Sequence, residues 1–177
     1  MGSHADKDSD LFLEVLSAAS EAKLIEEVIV ADSDSKIKNL WTVRDAAAEI
    51  SPGVGYMHTY DVSLNVGDMG YFGEEVETRL RAEWPDAILG LFGHIGDGNL
   101  HIVIHVGSET RSLHLAIDEV IYGLIQELHG AVSAEHGIGL MKKQFLPYSK
   151  SEPEIALMKA LKQTLDPQGI LNPGRVF

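Results

Sequence analysis

The stretch "FGHIGDGNLHIVIHV", residues 92–106, sets a Gly-Asp-Gly turn between two apolar runs and so commits this part of the chain to an antiparallel hairpin. The glycines supply positive φ at the turn, and Asp97 or Asn99 can close the local hydrogen bonds. In "LHIVIHV" the strand period of two puts Leu100, Ile102, Ile104 and Val106 on one face and His101, Val103 and His105 on the other. His101 and His105 then lie roughly 13 Å apart along the strand, too far for both to reach one ion at about 2 Å. His94, across the turn, is the better partner for His101. The plain alternative is a hairpin with polar shoulders.

The remainder of the chain surrounds this hairpin with helices. Leu11, Leu13, Val15, Leu16, Leu24 and Ile25 form an opening helical stripe, and the β-branched run in "EEVIVA" predicts a first strand near residues 27–31. "DSDSK" supplies N-cap residues for a helix through "IKNLWTVRDAAAEI", which ends in a loop at Ser51-Pro52-Gly53. A second strand is predicted around residues 56–64, a helix up to Pro85, and a further helix over 109–129. "AVSAEHGIG" reads as a short strand or loop, and "PEIALMKALKQTL" as a last helix. The order β-α-β-α-β-β-α predicts an α+β domain: a ferredoxin-like antiparallel sheet with helices on one face and extra C-terminal helices.

Composition narrows the chemistry. With 177 residues the chain suits one domain, and a formal charge of −13 opposes phosphate backbones, so nucleic acid is not an expected partner. No apolar run is long enough to cross a bilayer, and the absence of cysteine leaves His, Asp and Glu as metal ligands. The opening Met1–Ala5 has the character of a cloning remnant and is set aside, His4 with it.

"SAEHGIG" places Glu135 and His136 side by side between small residues, where a chain can pass close to a ligand. Read as ordinary structure it is a helix N-terminus, with Ser133 as cap and Glu135 favoured by the helix dipole. Joined to the hairpin it offers two histidines and a carboxylate, a set suited to a divalent transition metal with open positions, and a further histidine to act as base. Arg44 can clamp a carboxylate, although an arginine on an amphipathic helix is commonly a solvated surface residue. Lys142 and Lys143 can attract an anion or simply face water. His58, His105, His114 and His129 are expected to be structural or surface histidines, and Trp41 and Trp84 packing residues.

Together "GHIGDGNLH", "SAEHGIG" followed by Lys142, "YDVSL" and "LDPQGILNPGR" resemble the C-terminal part of the FAD-linked oxidases, flavoenzymes that oxidise D-2-hydroxy acids. D-lactate dehydrogenases, D-2-hydroxyglutarate dehydrogenases and the glycolate oxidase flavoprotein subunit are of this kind. The resemblance implies metal ligation by His94, His101 and Glu135, with His136 as proton acceptor. It also implies that Arg44 and Lys142 bind substrate and that Asn172 lies near the flavin. The implied reaction converts the hydroxy acid to the 2-keto acid: a divalent metal, zinc or manganese, acidifies the α-hydroxyl while hydride passes to FAD.

In this family the flavin-binding domain precedes the part seen here. The expected organisation is therefore a single C-terminal domain over residues 6–177, separated from its N-terminal FAD-binding domain and inactive alone. Expected partners are a small 2-hydroxy acid, that missing domain, an electron acceptor of unspecified identity and a second copy of the chain. The expected location is cytoplasmic, at the membrane periphery in the intact enzyme. Hydroxyglutarate-type members carry a lysine before "YD" and an asparagine two residues after the second histidine. Thr59 and Val103 stand there in this chain, implying a smaller or less polar hydroxy acid. Two other expectations compete: a free-standing metal enzyme with the same two-histidine, one-carboxylate set, and a non-catalytic ferredoxin-like binding module.

Overall fold

A computed structural model describes residues 4–46, 55–107 and 110–177, and the chain divides into two compact units, Met1–Ile50 and Ser51–Phe177. The first unit holds α1 (Ala5–Glu21) and α2 (Asp34–Asp45). Ser33 caps α2, its hydroxyl accepting from the Lys36 N–H at 3.4 Å. The strand expected at residues 27–31 does not form. Val28, Ile29 and Val30 are exposed and irregular, because β-branched residues favour a strand only where a neighbouring strand receives them. The loop expected at Ser51-Pro52-Gly53 lies outside the described residues.

In the second unit β1 (His58–Ser63) leads through a short 3-10 turn into α3 (Met69–Glu83), then β2 (Ile88–His94), β3 (Asn99–His105), α4 (Arg111–Glu127) and, after a glycine-rich loop, α5 (Glu152–Leu165). The three strands form an antiparallel sheet in the order β1-β3-β2. Strand alternation sends Tyr60, Val62, Leu100, Ile102 and Ile104 to one face, where they pack with Phe72, Val76 and Leu80 of α3 and Ile117, Ile121, Leu124 and Ile125 of α4. Burying each of these large side chains contributes about 1.5–3 kcal/mol, so this one-sided sandwich holds the unit together. The α+β class stands. The ferredoxin-like arrangement is not shown, since three strands, not four, are paired among the described residues.

The opposite face of the sheet carries, in successive rows, Ser63–Asn99–His94, Asp61–His101–Phe92 and Thr59–Val103–Gly90. Two glycines fix what stands beside it. Gly98 closes the β2–β3 turn at φ +75°, and a Cβ there would lie 2.2 Å from the Leu64 carbonyl oxygen, which belongs to the stretch leaving β1. Gly130 lets residue 131 pair with Ser63, for its Cβ would meet the Ser63 oxygen at 2.6 Å. That single bridge, Ser63 N–H to Ala131 O at 3.0 Å and Ala131 N–H to Ser63 O at 2.7 Å, starts the loop on its course beside β1. Gly98→Ala is expected to destabilise the chain by at least about 2 kcal/mol, because strain at positive φ adds to a backbone collision. Urea unfolding at neutral pH reads this as a lower midpoint at unchanged slope.

Candidate metal and substrate site

The open face of the sheet is built around a carboxylate that pattern reading did not single out. Asp61 faces His101 across the β1–β3 pairing and is fully buried, although it lies on the side away from the apolar core. Its Oδ2 accepts the backbone N–H of Glu135 at 2.9 Å and of His136 at 2.8 Å. Two successive N–H groups converging on one oxygen form an anion-binding nest, so Asp61 sets the course of the "SAEHGIG" loop. Ser133 Oγ lies 3.2 Å from the same oxygen and 3.0 Å from the Gly137 carbonyl, and it accepts from Lys142 Nζ at 3.0 Å. The Lys142 ammonium also donates to the Asp61 backbone oxygen at 3.1 Å.

Burial alone would push the Asp61 carboxyl up. The His136 and Glu135 N–H groups and the charge of Lys142 outweigh it and hold Asp61 below the usual carboxylate range. Burial lowers Lys142, with Asp61 opposing that shift.

The side chains on this carboxylate-built floor converge. One atom each from Asp61, His101, Glu135 and His136 lie within 4.8 Å of one another. His101 presents Nε2 to Glu135 Oε2 at 3.7 Å and Nδ1 to Asp61 Oδ1 at 3.8 Å. His94 Nε2 faces the other Glu135 oxygen at 3.8 Å, and its ring centre is 5.6 Å from that of His101. His136 turns Nδ1 toward Asp61 Oδ2 at 3.8 Å and is largely exposed.

His94, His101, Glu135 and His136 thus lie near one another, with Asp61 among them; the ligand atoms that gather within 4.8 Å are those of Asp61, His101, Glu135 and His136. His105 stands apart, its Nδ1 2.9 Å from the Tyr56 carbonyl. No helix begins at Ser133, which rules out the helix-cap reading of that segment; its hydroxyl serves Asp61 and Lys142 instead. Lys142, expected at the substrate, is engaged with Asp61 and Ser133, while Lys143 donates to the Gly174 carbonyl at 3.2 Å. Asn172 has φ +50° and its carbonyl accepts from the Arg175 N–H at 3.3 Å, in a tail tied to the glycine loop by Val176 N–H to Gly139 O at 2.9 Å. In the first unit Arg44 is exposed, 3.1 Å from Asp45 and 5.8 Å over the Trp41 ring.

These separations test whether a metal ion fits. At 3.7–3.8 Å the facing nitrogen and oxygen atoms are too far apart to hydrogen-bond. Ligand atoms sharing one ion at about 2.1 Å stand roughly 3–3.5 Å apart, so the Glu135–His94 and Glu135–His101 atoms lie a few tenths of an ångström beyond that spacing, within a group of four residues whose ligand atoms are all within 4.8 Å of one another when Asp61 and His136 replace His94. Asp61 Oδ1 is buried with no hydrogen-bond partner and faces the far nitrogen of His101. That is the carboxylate position behind a metal-bound histidine. The donor set therefore fits a divalent ion.

Residues 2–176 match the model of the FAD linked oxidases, C-terminal domain. D-2-hydroxyglutarate dehydrogenase from Danio rerio, a mitochondrial protein, is 36% identical over 97% of this chain and 32% of its own length. The enzyme of that name from Stutzerimonas stutzeri is also 36% identical, over 84% of the chain and 33% of its own length. A D-2-hydroxyglutarate–pyruvate transhydrogenase from Saccharomyces cerevisiae is 35% identical over 97% and 36%. The chain belongs to the FAD-linked oxidases and corresponds to their C-terminal domain, in a family of oxidoreductases. It spans about a third of the length of the curated relatives it matches. Among the described residues no helix is long and apolar enough to cross a membrane.

Proposed function

We propose that this chain supplies the metal- and substrate-binding half of a flavin-dependent D-2-hydroxy-acid dehydrogenase. The observation that carries this reading is the way His101 is held between two carboxylates, Glu135 at Nε2 and Asp61 at Nδ1. With Nδ1 turned to Asp61, His101 offers Nε2 to an ion, beside His94 Nε2 and Glu135. His136, also turned toward Asp61 through Nδ1, keeps Nε2 free to accept the proton of the substrate hydroxyl. A bound divalent metal, zinc or manganese, would lower the pKa of that hydroxyl, and FAD held by the family's other domain would take the hydride. Lys142 acts at this site through Asp61, whose charge it balances. Arg44 is assigned to the substrate carboxylate and Asn172 to the flavin side. The electron acceptor beyond FAD belongs to the whole enzyme.

The relatives named for D-2-hydroxyglutarate set that compound as the reference substrate. Thr59 and Val103 are direct partners across β1 and β3, one row from Asp61 and His101, and neither carries a charge for a second carboxylate. This favours a smaller D-2-hydroxy acid. In the intact flavoprotein, D-lactate is expected to reduce the flavin with a higher kcat/KM than D-2-hydroxyglutarate, and the Thr59→Lys/Val103→Asn double variant to shift the ratio toward the latter. A wild-type preference for D-2-hydroxyglutarate would refute the size assignment alone. Flavin reduction by neither acid would refute the reaction.

A further inference from the structure

Two histidines with no place in the site above meet on the other side of β1. His58, at the start of the strand, is 1% exposed, and its Nδ1 lies 2.7 Å from Nδ1 of His114 on α4. The ring centres are 5.0 Å apart, which is that contact plus the two centre-to-nitrogen radii, so the nitrogens meet head-on. This geometry leaves no room for a metal ion between them. It fits an N–H···N hydrogen bond carrying one proton.

The neighbours decide which ring carries it. His114 Nε2 faces Asp118 Oδ1 at 3.6 Å, and that oxygen accepts from the Tyr60 hydroxyl at 2.9 Å. The nearby Asp118 carboxyl favours a proton on His114 Nε2 electrostatically, which leaves His114 Nδ1 to accept from a proton on His58 Nδ1. His58 Nε2 is left as a buried lone pair with no partner.

We infer that the His58–His114 pair is an acid-sensitive latch between β1 and α4, favourable while both rings are neutral and destabilised, by the cost of a buried charge, when a further proton is driven onto His58 Nε2. That proton would make a buried imidazolium whose new N–H meets no acceptor. Other titratable or charged groups around the pair offer limited relief. Tyr56 stacks edge-on to His58, and Tyr122 and Lys142 line the same small cavity of about 220 Å³ as His58, His114 and Asp118. His105 on β3 disfavours a positive charge on His58.

Burial, then His114, then His105 lower the His58 pKa, while burial raises that of Asp118 against the opposing effects of Tyr60 and His114. The sign follows from His58. Its folded pKa lies below the unfolded value of about 6.5, so the unfolded chain takes up the proton first. The latch's stability is thus complete above about pH 6.5 and is lost as pH falls toward and through the lowered value. β1 also carries Asp61, so the strand that a charged His58 would destabilise is the one that floors the proposed metal site.

The test compares urea unfolding of the full chain between pH 7.5 and 5 for the wild type and for His58→Phe, which keeps a ring and removes both nitrogens. Below pH 6.5 the wild-type unfolding constant is expected to rise faster than the variant's, by up to about tenfold per pH unit. Equal slopes would overturn the inference. Nitrogen NMR of the wild-type histidines gives a second reading should the variant fail to fold. Coupling across the Nδ1···Nδ1 contact, with His58 titrating below the ordinary imidazole value, supports the latch. A His58 that titrates at or above that value overturns it.

Discussion

Asp61→Asn is expected to be the most damaging single-atom exchange in this chain, lowering stability by about 3–5 kcal/mol and weakening divalent-metal binding about 10- to 100-fold. The stability loss arises because Oδ2 accepts two backbone N–H groups and balances Lys142, so neutralising it leaves a partly buried ammonium without its counter-charge and unseats the loop. The loss in affinity arises because Oδ1 no longer holds a charge behind His101. The pH dependence has a defined sign. Asp61's folded pKa is below its unfolded value of about 3.9, so its contribution is complete above that value and disappears as pH falls through the folded one. Urea unfolding and calorimetric titration with Zn²⁺ or Mn²⁺ measure the two effects, and a variant normal in both would remove Asp61 from the site.

His101→Ala and Glu135→Gln should abolish metal binding, His94→Ala should weaken it strongly, and His105→Ala should leave it unchanged. His136→Ala should retain the metal and, in the intact flavoprotein, lower kcat about 10²- to 10⁴-fold as the loss of a general base does. Metal content of the purified variants separates ligands from base. If His136→Ala emptied the site and His94→Ala did not, the ion would instead sit in the Asp61–His101–Glu135–His136 cluster.

The hairpin was legible because two local signals agree there: the Gly-Asp-Gly turn and the alternation of "LHIVIHV". The same alternation, with about 3.3 Å per residue, argues against His105 as a partner for His101, and in the structure His105 Nδ1 lies against the Tyr56 carbonyl at 2.9 Å. Asp61 was not legible. It sits in an ordinary strand pattern, and its importance comes from the pairing of β1 with β3 and from a loop more than seventy residues away that docks on its carboxylate. The "EEVIVA" run misled for the converse reason: strand propensity is realised only where a partner strand exists. His58 and His114 read as plain structural histidines because nothing local shows that β1 and α4 bring them nose to nose.

The bridge between Ser63 and Ala131 gives the site a place in the order of folding. Asp61 must wait for residues 74 and 75 positions further along the chain, whereas the hairpin and the helices can form from near neighbours. Contacts of such separation are won only after the entropy of closing the intervening loop has been spent. The proposed ion site is therefore the part of this unit that depends on the longest loop closure, from β1 to the backbone of Glu135 and His136.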